Sequence, residues 1–339
     1  MPTATVIIPA HNRPDRLTRI IDYYLHESDF NIIISDSSNE KHLTVFDNPR
    51  IKYFHYPKTD LALKIFYILD KIETTYVFMC ADDDFIVPDA VNNIITFLDA
   101  NVNYNSGQGL YLSFEKIKDR LAFNPIYQNV KELDLTLDDP AGRLRNLMAN
   151  YHQYYYAVFR TETFNEVYSG CIYEGKTLIR NLCLLELYVS ILTAIRGKHY
   201  LLNSLYSARE VIANSAGVVT DRFTVIRTRP EYKNEYNDYL VLLVNKYCDE
   251  TSCSYIDAVN TIQAVHDIYL EHSFGSSTLK SFQKKMLTLL GLTGAAKKIK
   301  SGINAVVNKS TRVQQEAMIT ENSSATMLIS QYVLNDDRS

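Results

Sequence analysis

The chain has 339 residues, of which 46% are hydrophobic and 22% are charged. That length is enough for one large domain with an appendage or for two domains, and the composition is that of an ordinary globular protein. The net charge of −4 gives no reason to expect a nucleic-acid partner. The five scattered cysteines lie mostly within apolar runs, which suits a reducing compartment better than a disulfide framework.

No segment has the pattern of a signal peptide or of a membrane span. The apolar stretch at residues 5–10 is too short for the core of a signal peptide and runs directly into His11 and Asn12. No uninterrupted apolar run reaches the roughly 20 residues that a membrane-crossing helix needs. We therefore expect a cytoplasmic protein.

The first hundred residues alternate between strand and helix patterns. Short β-branched or apolar runs predict strands at residues 3–8, 31–35, 51–56 and 76–80. Helical spacing begins at Pro14, a residue suited to the first turn of a helix, and recurs at 61–72 and 88–98. This alternation predicts an α/β fold with a mainly parallel sheet and helices on both of its faces.

The rest of the chain becomes increasingly helical. We predict strands at 109–114 and 154–160 and helices at 141–150 and 178–196, followed by helices only, at 239–247, 256–270 and 279–290. The predicted domains are an α/β domain at 1–220, with halves at 1–100 and 101–220, and a helical C-terminal region at 221–316. The Ser/Thr/Asn-rich residues 317–339 are predicted to be a flexible tail.

Three consecutive carboxylates, Asp82, Asp83 and Asp84, follow the predicted strand at 76–80 and precede another apolar run. Like charges so close together repel one another unless a cation or a hydrogen-bonding ligand offsets them. Ligands of open α/β sheets bind at the carboxyl ends of the strands, which is where this triplet falls. A divalent metal that bridges carboxylates to phosphate oxygens is the simplest explanation, and an acidic solvated turn is the alternative.

Two other strand ends fall at the same predicted edge. The loop at residues 9–16 has no glycine, which argues against a dinucleotide fingerprint and against a P-loop, although Arg13 or Arg16 could still lie near a phosphate. Asp36 ends the second strand. Its carboxylate could accept hydrogen bonds from a base or a ribose, or it could simply form a turn beside two serines.

These motifs, in this order, resemble family 2 nucleotide-sugar glycosyltransferases, which have the GT-A fold. The resemblance rests on a strand followed by Pro-Ala-x-Asn-Arg at 9–13, then Asp-x-Ser at 36–38, then Asp-Asp-Asp-x-x-x-Pro-Asp at 82–89. It covers residues 3–100 well and continues more loosely to about residue 212. Ala81 stands where some family members have the first aspartate of the acidic motif.

The resemblance implies a nucleotide site and a metal site at the sheet edge. Asp36 would bind the nucleobase, Asp82 would lie near the ribose, and Asp83 and Asp84 would bind Mn²⁺ or Mg²⁺ on the diphosphate. The other residues expected to contact the nucleotide are Pro9, Ala10, Asn12, Arg13, Lys64 and Arg209. For Lys64, a solvated position on its helix is the alternative.

Glu186 is the candidate general base. It is the only carboxylate between Glu174 and Glu210, and it lies in an apolar run, where partial burial would raise its pKa towards a working pH. In the family it resembles, an acid near the start of a helix deprotonates the acceptor. A buried glutamate paired with Arg180 or Arg209 is the alternative.

The expected activity is metal-dependent transfer of a sugar, with inversion, from a nucleotide-diphosphate sugar to a hydroxyl of a glycan or a lipid-linked saccharide. A UDP-sugar is the expected donor and bacterial-type surface polysaccharide synthesis the expected pathway. A sugar-nucleotide pyrophosphorylase is one alternative, although its glycine-rich basic loop is absent. A non-catalytic nucleotide- or glycan-binding module is another.

Residues 280–312 carry eight basic residues and no acidic one, interleaved with apolar residues. Such a segment could lie on the inner face of an anionic membrane, where each basic residue contributes about 1 kcal/mol. It could equally be a solvated basic face that packs against the acidic remainder of the protein. The sequence leaves both readings open.

Overall fold

The computed structural model describes residues 3–42, 47–127, 135–212, 220–289, 319–320 and 322–335. In its first hundred residues strands and helices alternate, and the pattern predicted from the sequence is confirmed. The elements are β1 (Ala4–Ala10), α1 (Pro14–Glu27), β2 (Asn31–Asp36), β3 (Ile51–His55), α2 (Leu61–Phe66), β4 (Tyr76–Met79), β5 (Asp84–Ile86) and α3 (Pro88–Ala100).

The first four strands pair in parallel, in the order β3-β2-β1-β4. Ala10 pairs with Asp36, and Ile7 pairs with Met79, so the carboxyl ends of β1, β2 and β4 meet at one edge of the sheet. The residues that follow these strands are therefore brought together, although they are far apart in the sequence.

The sheet continues through the second half of the α/β region with strands of mixed direction. The elements here are β6 (Tyr104–Ile117), β7 (Arg120–Ile126), α4 (Pro140–Ala149), β8 (Val158–Arg160), α5 (Thr161–Gly170), β9 (Ile172–Tyr173), β10 (Lys176–Thr177), α6 (Leu182–Arg196) and β11 (Lys198–Glu210). Beyond β4 the order is β8-β6-β11-β5, with β7 also paired to β6, whereas β9 and β10 form a separate pair. The described sheet is therefore mixed but mostly parallel, as expected.

Helices cover both faces of the sheet, because side chains along each strand alternate between two cores. On β1, Val6 and Ile8 join the core that contains α1 and α3, whereas Ile7 joins the core that contains α5 and α6. A strand buried on both faces reads as a continuous apolar run, which is how β1 appears in the sequence.

The C-terminal part contains α7 (Phe223–Ile226), α8 (Lys233–Thr251), α9 (Tyr255–Leu289) and α10 (Ser323–Asn335). The last of these differs from the flexible tail expected at 317–339: Ile329 and Val333 of α10 are buried, and Tyr332 donates a hydrogen bond to Glu27 of α1 at 2.8 Å. Smaller differences occur elsewhere: the helix expected at 61–72 ends at Phe66, the one expected at 178–196 begins at Leu182, and the strand expected at 154–160 begins at Val158. The helices expected at 256–270 and 279–290 form one helix, α9.

The predicted division into domains at about residues 220 and 316 stays a prediction. Most of the basic segment 280–312 lies outside the described residues, beyond the end of α9. Within the described part of the chain, no helix combines the length and the apolar character needed to cross a bilayer.

Candidate active site

A cleft of about 1030 Å³ opens at the carboxyl edge of the sheet. It brings together most of the residues that the sequence assigned to nucleotide, metal or catalysis, which are Pro9, Asn12, Arg13, Lys64, Asp82, Asp83, Asp84, Glu186 and Arg209. Two assigned residues, Ala10 and Asp36, are at the same edge but are not among those that line the cleft.

The loop after β1 aims Arg13 at the acidic triplet. Asn12 adopts a left-handed backbone conformation (φ 52°), which asparagine tolerates better than most residues. Its backbone N–H donates to Ser38 Oγ at 2.7 Å, and its side-chain oxygen accepts from the backbone N–H of Asn39 at 3.1 Å, which ties the loop to the end of β2. Arg13 then immediately precedes α1.

Arg13 neutralises part of the triplet. Its Nη1 donates to Asp82 Oδ1 at 3.1 Å and to Asp83 Oδ2 at 2.5 Å. Burial raises the pKa of Asp82 to about 6, and the neighbouring charge of Asp83 adds to the rise, while Arg13 opposes it. One guanidinium therefore compensates two buried carboxyl groups incompletely.

Asp84 is held by the opposite side of the cleft. The short strand β5 begins at Asp84 and pairs antiparallel with β11, with Asp84 opposite Arg209. Asp84 Oδ1 accepts from the backbone N–H of Glu210 at 3.1 Å, and Arg209 Nε lies 3.4 Å from Asp84 Oδ2. Burial raises the pKa of Asp84 to about 7, although the charge of Arg209 lowers it.

Glu210 is fixed in turn by two arginines of α1. Arg16 Nη2 lies 2.9 Å from Glu210 Oε1, and Arg19 Nη2 lies 2.7 Å from Glu210 Oε2. Arg16, a candidate for a phosphate contact in the sequence, pairs with Glu210 instead. These pairs anchor the end of β11, and with it the backbone donor to Asp84.

The carboxylates differ in how well they suit a divalent metal. Among the described residues, no point gathers three or more side chains that could ligate one. Both oxygens of Asp84 face protein partners, which disfavours it as a ligand, whereas Asp83 lines the cleft and accepts a hydrogen bond from Arg13 through Oδ2. Mg²⁺ is commonly held by one or two carboxylates together with substrate phosphates and water, so the single carboxylate of Asp83 is sufficient for such an ion.

Asp36 and Lys64 are buried beneath the loops. Asp36 Oδ2 accepts from Tyr53 Oη at 2.6 Å, and its Oδ1 accepts from the Ser38 backbone N–H at 2.8 Å. Burial opposes ionisation of Asp36, but the hydrogen bonds from Ser38 and Tyr53 prevail and lower its pKa. The role of Asp36 in base recognition stays a prediction.

For Lys64 the alternative of a solvated helix lysine is wrong. Only 4% of the residue is exposed, and Nζ donates to the Ala10 carbonyl at 2.8 Å and to Ser37 Oγ at 3.1 Å. Burial lowers the pKa of Lys64 to about 8, although the charges of Asp82 and Asp36 oppose the change. The ammonium group thus links the ends of β1 and β2 and lines the cleft.

Glu186 is the fifth residue of α6, close to the beginning of the helix. Asn181 caps this helix by accepting hydrogen bonds from the backbone N–H groups of Cys183 and Leu184. Glu186 Oε1 accepts from Tyr151 Oη at 3.0 Å. Burial raises the pKa of Glu186, whereas the Tyr151 hydrogen bond and then the charge of Arg209 lower it.

The tyrosine-rich segment at 151–156, which was not predicted from the sequence to belong to the site, supplies four of its residues. Tyr151 binds Glu186, Gln153 and Tyr155 line the cleft, and the ring of Tyr156 lies 5.7 Å from the guanidinium carbon of Arg209. The cluster of tyrosines was visible in the sequence, but composition alone did not locate it in the fold.

Comparisons with known proteins bear on the family and the fold of the chain. Residues 5–152 match the family model described as Glycosyl transferase family 2. The crystal structure of S. aureus TarS 1-349 in complex with UDP-GlcNAc is 12% identical, with 81% of this chain and 73% of that chain aligned at a TM-score of 0.53. The crystal structure of the same protein in complex with UDP is 13% identical over 80% of this chain and 70% of that chain, with a TM-score of 0.48. No curated protein matches the sequence.

These findings define the class of the protein. A GT-A-like α/β fold carries an acidic cluster at the carboxyl edge of its sheet, and the first of the two structural likenesses supports that fold. Residues 5–152 match glycosyl transferase family 2, and this match assigns the protein to the glycosyltransferases. The fold predicted from the sequence is confirmed, and the predicted resemblance to the family is confirmed over residues 5–152.

Proposed function

We propose that this glycosyltransferase moves a sugar from a UDP-sugar to a hydroxyl group of a glycan or a lipid-linked saccharide, with inversion and with the help of Mn²⁺ or Mg²⁺. The observation that carries the proposal is the buried triplet Asp82–Asp84, incompletely neutralised at the mouth of a cleft of about 1030 Å³. The structural similarity to TarS in complex with UDP-GlcNAc supports the choice of a uridine nucleotide.

On the donor side, cationic side chains surround the place proposed for the diphosphate. Arg13, Lys64 and Arg209 all line the cleft, and each can donate hydrogen bonds to phosphate oxygens. Asp83 is the proposed metal ligand; a bound divalent ion would neutralise the charge that develops on the leaving diphosphate, an effect worth several kcal/mol. Asp82 is proposed to contact the ribose and Asp36 the base.

On the acceptor side, Glu186 is the proposed general base. Its carboxylate would take the proton of the acceptor hydroxyl as that oxygen attacks the anomeric carbon from the face opposite the diphosphate. Attack from that face gives inversion. Burial raises the pKa of Glu186, which makes its conjugate base stronger, and the hydrogen bond from Tyr151 fixes its orientation.

The experiment that tests the donor assignment is calorimetric titration with UDP, GDP, CDP and dTDP, each in Mn²⁺ and in EDTA. We expect UDP to bind and Mn²⁺ to strengthen its binding. Binding of a different nucleotide would correct the donor class, and equal affinity in EDTA would refute metal dependence. If no nucleotide bound under either condition, the proposed activity would have to be abandoned.

We further propose that the protein is cytoplasmic, takes part in surface polysaccharide synthesis and contacts the membrane peripherally through the basic segment 280–312. The support is the sequence of that segment, with eight basic residues and interleaved apolar ones. Flotation with anionic vesicles at low salt tests the contact. Recovery of the full-length protein only in the unbound fraction would contradict it.

A further inference from the structure

Gln153 lines the cleft with a buried amide group whose nitrogen is unpartnered among the described residues. The residue lines the cleft but is only 2% exposed, and its side-chain Nε2 has no hydrogen-bond partner in the described part of the chain. A buried amide without a partner is costly, because the hydrogen bonds that it made to water in the unfolded chain are not replaced. A ligand that enters the cleft with a suitable oxygen would supply the missing acceptor.

The position of Gln153 favours one part of the donor. Two residues before it, Tyr151 binds Glu186, and three residues after it, the ring of Tyr156 lies against Arg209, which in turn pairs with Asp84. Gln153 therefore lies on the stretch of chain that runs from the proposed base to the acidic cluster. The sugar of the donor must occupy this interval, since its anomeric carbon is bonded to the diphosphate and is attacked by the acceptor.

The neighbouring residues add the other surface that sugars use. Tyr155 and Tyr156 both line the cleft and present aromatic rings. Aromatic surface packs against the apolar face of a sugar ring, while a fixed amide recognises its hydroxyl or acetamido groups. A site built to hydrogen-bond such a group discriminates strongly against ligands that lack it, because the buried partner is then left unpaired.

We propose that Gln153, flanked by Tyr155 and Tyr156, is a specificity-determining subsite for the donor sugar, with the amide donating a hydrogen bond to a hydroxyl or acetamido oxygen. This inference rests on the proposed function, because it takes a nucleotide-sugar as the ligand. It goes further in assigning sugar recognition to particular residues. The amide should affect binding of the sugar and not of the nucleotide.

The test compares UDP-GlcNAc with UDP by calorimetry on the full chain, in Mn²⁺, for the wild type, Gln153→Leu and Gln153→Met. We expect the wild type to bind UDP-GlcNAc more tightly than UDP. Both variants should lose about 3- to 10-fold in affinity for UDP-GlcNAc, the effect of one neutral hydrogen bond, while their affinity for UDP stays unchanged. Gln153→Met is included because the unbranched methionine side chain can occupy the site of glutamine if the branched leucine does not pack there.

Gln108→Leu is the matched control. Gln108 is also fully buried with an unpartnered Nε2, but it does not line the cleft, so this variant should leave both affinities unchanged. The inference is overturned if the Gln153 variants retain the wild-type preference for UDP-GlcNAc, if they lose UDP as well, or if the wild type has no preference. Failure of the wild type to bind either ligand would instead refute the proposed uridine donor.

Discussion

The role of Glu186 is tested most directly by Glu186→Gln, which removes the basic oxygen and keeps the shape of the side chain. The amide can still accept the hydrogen bond from Tyr151 Oη, 3.0 Å away in the wild type. General-base catalysis typically contributes about 10²- to 10⁴-fold, and at about 1.4 kcal/mol per tenfold this corresponds to roughly 3–5.5 kcal/mol in the barrier. We expect the turnover number to fall by that factor.

The folded state and the donor site should be unaffected by Glu186→Gln. Because burial raises the pKa of Glu186 in the folded protein, ionisation of this group opposes folding as the pH rises, and a neutral glutamine removes that penalty. The thermal midpoint above neutral pH should therefore be unchanged or higher, and the affinity for UDP should equal that of the wild type. A variant that kept the turnover number within tenfold would refute the assignment.

Tyr151→Phe removes the hydrogen bond to Glu186 while leaving the proposed base in place. The hydrogen bond from Tyr151 lowers the pKa of Glu186, so its loss should raise that pKa further. Since the base acts in its ionised form, the rate rises with pH as Glu186 loses its proton, and this acidic limb of the pH–rate profile should move to higher pH in Tyr151→Phe. A profile that keeps its acidic limb in place would mean that another group titrates there.

Three further variants test the donor site and its scaffold. Asp83→Asn should abolish the gain in UDP affinity that Mn²⁺ provides; a preserved gain would exclude Asp83 as the ligand. Lys64→Met should weaken UDP binding about 10- to 100-fold, the range for a charge-assisted hydrogen bond. In the wild type, UDP affinity should fall above about pH 8, where the ammonium group of Lys64 loses its proton, and this pH dependence should be absent from the variant. Unchanged UDP affinity would make Lys64 purely structural. Asn181→Ala removes the cap of α6 and should lower the free energy of unfolding by about 1 kcal/mol; an unchanged denaturation midpoint would contradict this.

Local patterns were sufficient to predict the elements of the first hundred residues. The apolar run of β1 and the proline at the first position of α1 are strong signals, because they depend on residues adjacent in the sequence. Once the strands are known to be parallel, their carboxyl ends must share an edge. The meeting of the loop after β1 with Asp82 and Asp83 follows from this topology.

Other parts of the site depend on contacts that no local pattern carries. The strand β5 has three residues, too few for a period to be recognised, and it exists because β11 supplies its hydrogen-bond partners. The bond from the Glu210 backbone to Asp84 joins residues 126 positions apart. Similarly, α10 looks like a polar tail in the sequence, and its buried residues are explained only by the core that contains α1.

The balance of charge at the cleft gives an independent reason to expect a requirement for an added cation. Arg13 faces Asp82 and Asp83, Arg209 faces Asp84, and Lys64 is attracted by Asp82. Arg13 and Arg209 are therefore already paired with the three carboxylates, and Lys64 is hydrogen-bonded to Ala10 and Ser37. A diphosphate entering the cleft brings further negative charge, and drawing Arg13 towards it would leave the buried Asp82 and Asp83 uncompensated. A divalent ion shared between Asp83 and the phosphates would avoid that cost, so the gain in UDP affinity from Mn²⁺ should be large and should depend on Asp83.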